Sequence, residues 1–179
     1  MGIRKVEELD WWQPSLLAPF PIMLAQSQHF SARTPFDRDR ALWGAFVFKL
    51  AGRRIYFAGD SGYGAHFAST HERLGAVDLA LLPIGAYEPR WFMKDIHMNP
   101  AEAVQAHLDL RARQSIPMHF GTFQLTPEGI DEPVRALEAA LRDQDLNAET
   151  FRALAFGESS RLDARMVLDT AASRGKDAD

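Results

Sequence analysis

The stretch RRIYFAGDSGYG, residues 53–64, runs from an apolar segment into an acid that is flanked by glycines. Its β-branched and aromatic residues favour a strand directed into the protein interior. Asp60 therefore stands at the end of a predicted strand, where the chain has to turn. Asp-Ser-Gly is common turn chemistry, so a turn acid is the simplest interpretation. The alternative is a metal ligand, which needs partners elsewhere in the chain.

The composition of the 179-residue chain is that of a soluble globular protein of one domain. Its 20 basic and 24 acidic side chains give a net charge of -4, without the basic stripe of a nucleic-acid-binding protein. No apolar run approaches the ~18 residues of a membrane span, and the first ten residues lack the apolar core of a secretory signal. We expect a cytoplasmic protein with no transmembrane segment that binds no nucleic acid. Because cysteine is absent, a metal site would have to use His, Asp or Glu.

Apolar segments of the chain predict strands of one sheet, and two of them predict a hairpin that turns at Ala51 and Gly52. The first predicted strand ends near His29. A final strand is expected close to the end of the globular part. The strand segments are PFPIMLAQSQHF, ALWGAFVFKL, RRIYFAGD, VDLALLPIG, SIPM and AETFRALAFG.

The clearest helix signal begins at Asn99, an N-cap residue followed by Pro100 and by Glu102 in the positions of a capping box. This helix is expected to end near Arg113. Two more helices are predicted in GAHFASTHERLG and EPVRALEAALRD. In the first of these, His71 shares a face with apolar residues, so we interpret it as a packed or surface histidine. His107 also shares a helix face with apolar residues, and we interpret it as a core histidine or as one that supports a metal ligand without binding the metal.

Two histidines share the strand-end position of Asp60: His29 follows PIMLA, and His119 follows SIPM. In layered α/β proteins the side chains at the carboxyl ends of strands project into a common crevice. Imidazole and carboxylate groups together suit zinc or another borderline divalent ion. Strand-end histidines also serve as ordinary hydrogen-bonding residues, so position alone leaves both interpretations open.

The long segment LLPIGAYEPRWFMKDIHMNPAEAV, taken with SQHF, GDSGY and MHFGTFQL, carries a family resemblance. It resembles metallo-β-lactamase-fold hydrolases, and within them the N-acyl-phosphatidylethanolamine-hydrolysing phospholipase D type with its bacterial relatives. The resemblance runs from residue 9 to residue 159. It implies an α/β fold, a four-layer αββα sandwich of which this chain supplies mainly the second half. Residues 1–165 would be the C-terminal part of a single metallo-β-lactamase-like domain, and residues 166–179 a disordered tail.

The resemblance also implies a site. His29, Asp60 and His119 match metal ligands of the family, with Asp60 as the ligand shared by two zinc ions, for which manganese or iron are alternatives. Asp60 and His97 match catalytic positions, and His97 would lie at the phosphate or acyl group of the substrate. A loop histidine bonded to backbone is the alternative for His97.

Four residues of the same segment are predicted to form a substrate-binding wall, with aromatic rings for an acyl chain and a guanidinium for a phosphate. A packed aromatic loop is the alternative. The four residues are Tyr87, Arg90, Trp91 and Phe92.

The family's HxHxDH motif is absent from these 179 residues, which contain no HxH sequence. The implied function is a zinc-dependent, phospholipase D-like hydrolase that cleaves a small-molecule or lipid phosphodiester by a metal-bridged hydroxide. The full site would need the missing N-terminal half, so this chain alone is expected to be inactive. We expect a homo-oligomer or association with that half, and peripheral membrane contact is compatible with such a substrate. The alternative is a non-catalytic half-domain that self-associates or pairs with a partner chain.

Overall fold

The computed structural model describes residues 4–162, in which five strands form one mixed sheet packed against helices. The strands lie side by side in chain order. The first three are antiparallel neighbours, and the last three are parallel neighbours. The predicted mixed α/β class is therefore confirmed. The strands are β1 (Ile22–Ala25), β2 (Ala45–Leu50), β3 (Arg53–Phe57), β4 (Leu79–Pro83) and β5 (Gln114–Met118).

Strand direction places the ends of β1, β3, β4 and β5 at the same edge of the sheet. The predicted hairpin is present between β2 and β3, where Ala51 and Gly52 have φ angles of 48° and 78°. Positive φ values of this kind suit a two-residue hairpin turn. The hairpin reverses the chain once, so that β3 runs in the direction of β1.

Four helices and a 3₁₀ turn complete the described chain: α1 (His66–Leu74), α2 (Arg90–Met93), α3 (Pro100–Asp109), α4 (Glu132–Asp143) and the turn Ala148–Thr150. The capping box is confirmed, because Asn99 Oδ1 accepts from the Glu102 amide at 2.8 Å and Glu102 Oε2 accepts from the Asn99 amide at 2.9 Å. The helix ends at Asp109, before the predicted Arg113. Arg111 has a φ of 47°, which is incompatible with further right-handed helix.

One face of the sheet forms the core with α1, α3 and α4. Tyr56 and Leu82 on this face are fully buried with Phe67, Val104 and Leu137 from the helices. Burial of these large apolar side chains supplies most of the driving force for folding. None of the helices in the described residues has the length and apolar character that a membrane crossing needs.

The opposite face, which we call the outer sheet face, is also apolar. Strand register aligns Leu24, Phe46, Phe57, Leu81 and Ile116 in one row across all five strands. Phe46 and Phe57 remain 38% and 37% exposed in the described chain. A row of apolar residues across a sheet, with exposed side chains at its centre, is typical of a surface that another layer covers.

One predicted strand and one further predicted boundary are also wrong. The segment AETFRALAFG is not a strand, because the 3₁₀ turn Ala148–Thr150 occupies its start and only Phe151 and Arg152 reach β5. The first strand ends at Ala25 rather than near His29, since the chain leaves the sheet to bond with the loop after β3. The predicted disordered tail, residues 166–179, lies outside the described residues.

Candidate metal centre

The sheet edge where β1, β3, β4 and β5 end collects four residues singled out in the sequence. One ligand atom from each of His29, Asp60 and His97 lies within 4.8 Å of the other two. His119 contacts the same carboxylate, with Nε2 3.5 Å from Asp60 Oδ1. The structure therefore brings together one carboxylate and three imidazoles. His97 belongs to the tightest group, and His119 joins it through Asp60.

The imidazole rings of the cluster lie close to one another in space. The His97 ring centroid is 5.3 Å from that of His29 and 5.2 Å from that of His119. Burial lowers the pKa of His97 to about 4, with a further lowering by His119 and an opposing effect of the Asp60 carboxylate. His97 is therefore neutral at physiological pH, and can donate or accept a hydrogen bond or bind a metal.

The hydrogen bond of the His29 ring orients it as in a metal-binding histidine. Its Nδ1 lies 3.0 Å from the backbone oxygen of Phe30, which can only accept, so Nδ1 carries the proton. Its Nε2 is buried and has no hydrogen-bond partner among the described residues. A buried acceptor nitrogen without a partner is unfavourable unless a ligand satisfies it. A backbone carbonyl that fixes the tautomer in this way is the usual support of a metal-binding histidine.

Residues next to the clustered side chains along the chain form hydrogen bonds that connect the loops of the site. Ser61 Oγ accepts from the Gln28 amide at 3.1 Å, and the Gly62 amide donates to the Gln28 oxygen at 2.8 Å. The Met98 amide donates to the Ser61 oxygen at 3.0 Å. Gly62 is required for this approach, because a Cβ there would lie 2.6 Å from the Asp95 oxygen. The loops that carry the clustered side chains are thus fixed to one another.

His66 supports the same loop, and sequence reasoning assigned it no role. It is buried at the start of α1, and its Nε2 lies 3.2 Å from Ser61 Oγ. Burial lowers its pKa to about 4, so the ring is neutral. The only sequence signal is its spacing of four residues from Thr70, which places both on the buried helix face. That spacing does not identify Ser61 as the partner.

Glu128 is a second residue that the sequence did not mark. Its buried carboxylate accepts from Thr126 Oγ1 at 2.6 Å and from the amides of Tyr87 and Glu88 at 3.1 and 3.3 Å. Burial opposes its ionisation, but these hydrogen bonds outweigh burial and lower the pKa of Glu128. The carboxylate joins the loop after β4 to the loop that follows His119.

A cavity of about 330 Å³ opens beside His119, and its lining is largely apolar. Its larger apolar side chains come from Phe120, Phe123, Leu125 and Ile130. Of the four clustered residues, His119 lines this cavity, so a substrate bound there would reach the cluster on the His119 side.

The predicted wall residues differ in their surroundings. Tyr87 is buried, with its hydroxyl 3.5 Å from Glu132 Oε1. Trp91 and Phe92 are 86% and 61% exposed. The Arg90 guanidinium contacts the protein itself, through backbone oxygens and a carboxylate. The substrate-binding role of these four residues stays a prediction.

Similarity to known proteins agrees with this geometry. The family profile of the Beta-lactamase superfamily domain matches residues 2–120. The chain therefore belongs to the metallo-β-lactamase superfamily of metal-dependent hydrolases. The family resemblance predicted from its motifs is confirmed, and a divalent metal is the cofactor that this superfamily uses.

Particular relatives show how much of a longer protein the chain represents. The N-acyl-phosphatidylethanolamine-hydrolyzing phospholipase D 1 of Caenorhabditis elegans is 39% identical over 164 residues, which are 88% of this chain and 46% of that protein. An uncharacterized protein of Mycobacterium tuberculosis is 42% identical over 139 residues, 76% of this chain and 37% of that protein. The chain thus spans less than half the length of these two curated relatives.

A solved structure shares the fold over most of the chain. The metallo hydrolase Igni18 from Ignicoccus hospitalis has a TM-score of 0.59 and 26% identity, over 84% of this chain and 57% of that one. The fold is therefore shared with this hydrolase over most of the chain.

The buried neutral state of His66 predicts a pH dependence of stability. Its pKa is about 4 in the folded protein and 6.5 in an unperturbed chain, so the unfolded chain binds more protons between these values. The contribution is fully present above about pH 6.5 and is lost as the pH falls towards 4. His66→Gln should reduce the loss of unfolding free energy between pH 7 and pH 5 by about 1–2 kcal/mol. Urea unfolding of metal-free protein at both pH values measures this, and equal losses in variant and wild type would contradict it.

Proposed function

We propose that the protein is a hydrolase that cleaves a phosphodiester, of the phospholipase D type, with zinc as the metal. The observation that supports the proposal most strongly is the convergence of His29, Asp60, His97 and His119 at one sheet edge, with His29 Nε2 left unpaired. A donor set of imidazoles and a carboxylate without thiolate suits zinc, and manganese or iron are the alternatives.

The residues proposed to hold metal are His29, Asp60 and His119, with Asp60 shared between two ions. When bound, a pair of divalent ions supplies an activated water and stabilises developing charge at phosphorus. The backbone oxygen of Phe30 keeps the proton of His29 on Nδ1, so that Nε2 is available. The position of Asp60 between His119 and the other two histidines suits a ligand that is shared.

His97 is proposed to face the substrate as a catalytic residue. It is neutral because burial lowers its pKa, and one ring N–H can donate to a phosphoryl oxygen. Its proximity to His29 and Asp60 would also allow it to bind a metal. The two roles differ in what a substitution does to metal content.

The named relative and the cavity support this substrate class. The nematode relative is named for the hydrolysis of an N-acyl-phosphatidylethanolamine. The apolar cavity beside His119 would accommodate an acyl chain of such a lipid. Tyr87, Trp91 and Phe92 lie outside the lining of this cavity. The exposed rings of Trp91 and Phe92 would instead contact a membrane surface. A cytoplasmic location with peripheral membrane contact fits this substrate.

Metal content should separate the proposed roles of the histidines. His29→Ala and His119→Ala should each lower the zinc retained after equilibrium dialysis by at least about tenfold, since loss of one ligand removes a large part of the binding free energy. His97→Ala should retain zinc as the wild type does, while reducing turnover in the complete site. His71→Ala, at a half-buried position of α1 outside the cluster, is the matched control. Zinc loss in His97→Ala equal to that in His29→Ala would place His97 among the ligands and contradict the assignment.

The partner proposed for this chain is a second half-domain that covers the outer sheet face. Phe46 and Phe57 expose apolar area on this face, and the curated relatives contain more than twice the residues that match this chain. An apolar sheet face suits the packing of another sheet about 10 Å away. The HxHxDH motif of such a half would supply the remaining ligands. Self-association through the same face, without catalysis, is the alternative.

Mixing experiments test this partner. The 179-residue protein should hydrolyse a phosphodiester only after addition of a separately expressed half that carries the HxHxDH motif, and the two should coelute on gel filtration. Phe46→Lys should abolish both effects because it places a charge in the apolar interface. Phe36→Lys, in a loop where the side chain is 89% exposed, should abolish neither. A stable, active protein without the added half would contradict the proposal, as would a homodimer that excludes this half.

A further inference from the structure

We propose that Arg90 is a positioning residue that holds the backbone of His97 at the metal centre and does not bind the substrate phosphate. The inference rests on the proposed function in taking His97 as the residue that faces the reacting group. The contacts that support the inference are hydrogen bonds between protein groups, and none of them involves a metal or a substrate.

The guanidinium of Arg90 joins both ends of the loop in which it lies. Its Nη1 donates to the His97 oxygen at 2.9 Å and to the Tyr87 oxygen at 3.2 Å. Its Nη2 donates to Glu102 Oε2 at 2.7 Å, and the pair is partly buried. One side chain therefore fixes the start of the loop, its end and the first turn of α3 with respect to one another.

The acceptor Glu102 extends this network into a stable helix. The same Oε2 atom accepts from the Asn99 amide at 2.9 Å, as part of the capping box. His97 is fixed from its other side as well, because its amide donates to the Met93 oxygen at 2.7 Å. Its carbonyl is held by Arg90, and its amide by the end of α2. These backbone bonds keep the ring beside His29 and His119, although its Nδ1 has no hydrogen-bond partner within residues 4–162.

These contacts argue against phosphate binding by Arg90. A phosphate on Nη1 would leave the carbonyls of Tyr87 and His97 without their donor, and a buried acceptor without a partner is destabilising. The charge of Arg90 is already compensated by Glu102 at 2.7 Å, which weakens its attraction for an anion. Three acceptors in a fixed arrangement match the fork of a guanidinium, and an ammonium would satisfy fewer of them.

Hydrogen exchange in metal-free protein tests the positioning role directly. The exchange rate of the His97 amide should rise by at least about tenfold in Arg90→Lys and in Glu102→Gln, the ratio that corresponds to loss of one charge-assisted hydrogen bond. The rate for Leu82 in β4 should stay unchanged, which shows that the effect is local. In the double variant, the His97 rate should not exceed that of the faster single variant, because both changes open the same network.

Arg113→Lys is the matched control, since Arg113 pairs with Asp78 at 3.6 Å at the start of β5 and away from the loop. It should leave the His97 rate at the wild-type value. An unchanged His97 rate in Arg90→Lys would overturn the proposal. A change in Arg90→Lys that is absent from Glu102→Gln would overturn it too.

Kinetics of the complete site separate positioning from substrate binding. If Arg90 positions His97, Arg90→Lys and Glu102→Gln both lower kcat, with KM for the phosphodiester near the wild-type value. A rise in KM confined to Arg90→Lys would show that Arg90 binds phosphate, and would overturn the proposal. Absence of phosphodiesterase activity in the wild type would refute the proposed function, while the exchange result would still decide whether Arg90 holds His97.

Discussion

The hydrogen bonds made by Ser61 and Gly62 determine where the other parts of the site lie. These two residues follow Asp60 directly, and they bond to the neighbours of His29 and His97. A shift in any one of these loops would break bonds in the others. The close approach of Gly62 to the Asp95 oxygen leaves no room for a side chain. The sheet brings the loops to a common edge, and these hydrogen bonds fix the positions of the loops relative to one another.

The site is surrounded by buried polar groups that the fold keeps in defined states. His66 is neutral because it is buried, whereas Glu128 stays ionised because several donors converge on it. Burying a neutral imidazole is less unfavourable than burying a charge, and a carboxylate can be buried when its oxygens are satisfied. His107 follows the same rule, with Nδ1 2.8 Å from Ser115 Oγ in the core. Of these groups, His66 contacts the residue after Asp60, and Glu128 holds the loop after β4.

Local sequence patterns predicted the features that depend on neighbours along the chain. The hairpin, the capping box at Asn99 and the positions of Asp60 and His119 just after their strands belong to this group. The position of His29 was predicted less well, because β1 ends at Ala25. Strand direction then brings those residues to one edge without further information. The packed or surface interpretation of His71 agrees with its position on α1.

Features that depend on contacts between distant segments could not be predicted in this way. The hydrogen bonds of the Arg90 guanidinium join it to Tyr87, His97 and Glu102. Residue type alone suggests a phosphate ligand and does not identify these partners. His66 carries no mark of its contact with Ser61. The prediction of a final strand in AETFRALAFG was wrong because sequence periodicity does not show that a 3₁₀ turn precedes Phe151.

The central claim is that Asp60 is the ligand around which the metal centre is built. Anomalous diffraction at the zinc absorption edge, from crystals of the protein grown with zinc, tests it most directly. The account predicts a peak at about 2.0–2.2 Å from an Asp60 carboxylate oxygen and from His29 Nε2, the distances of zinc bonds to such ligands. A peak bonded to the histidines without Asp60, or no peak within bonding distance of this carboxylate, would contradict it.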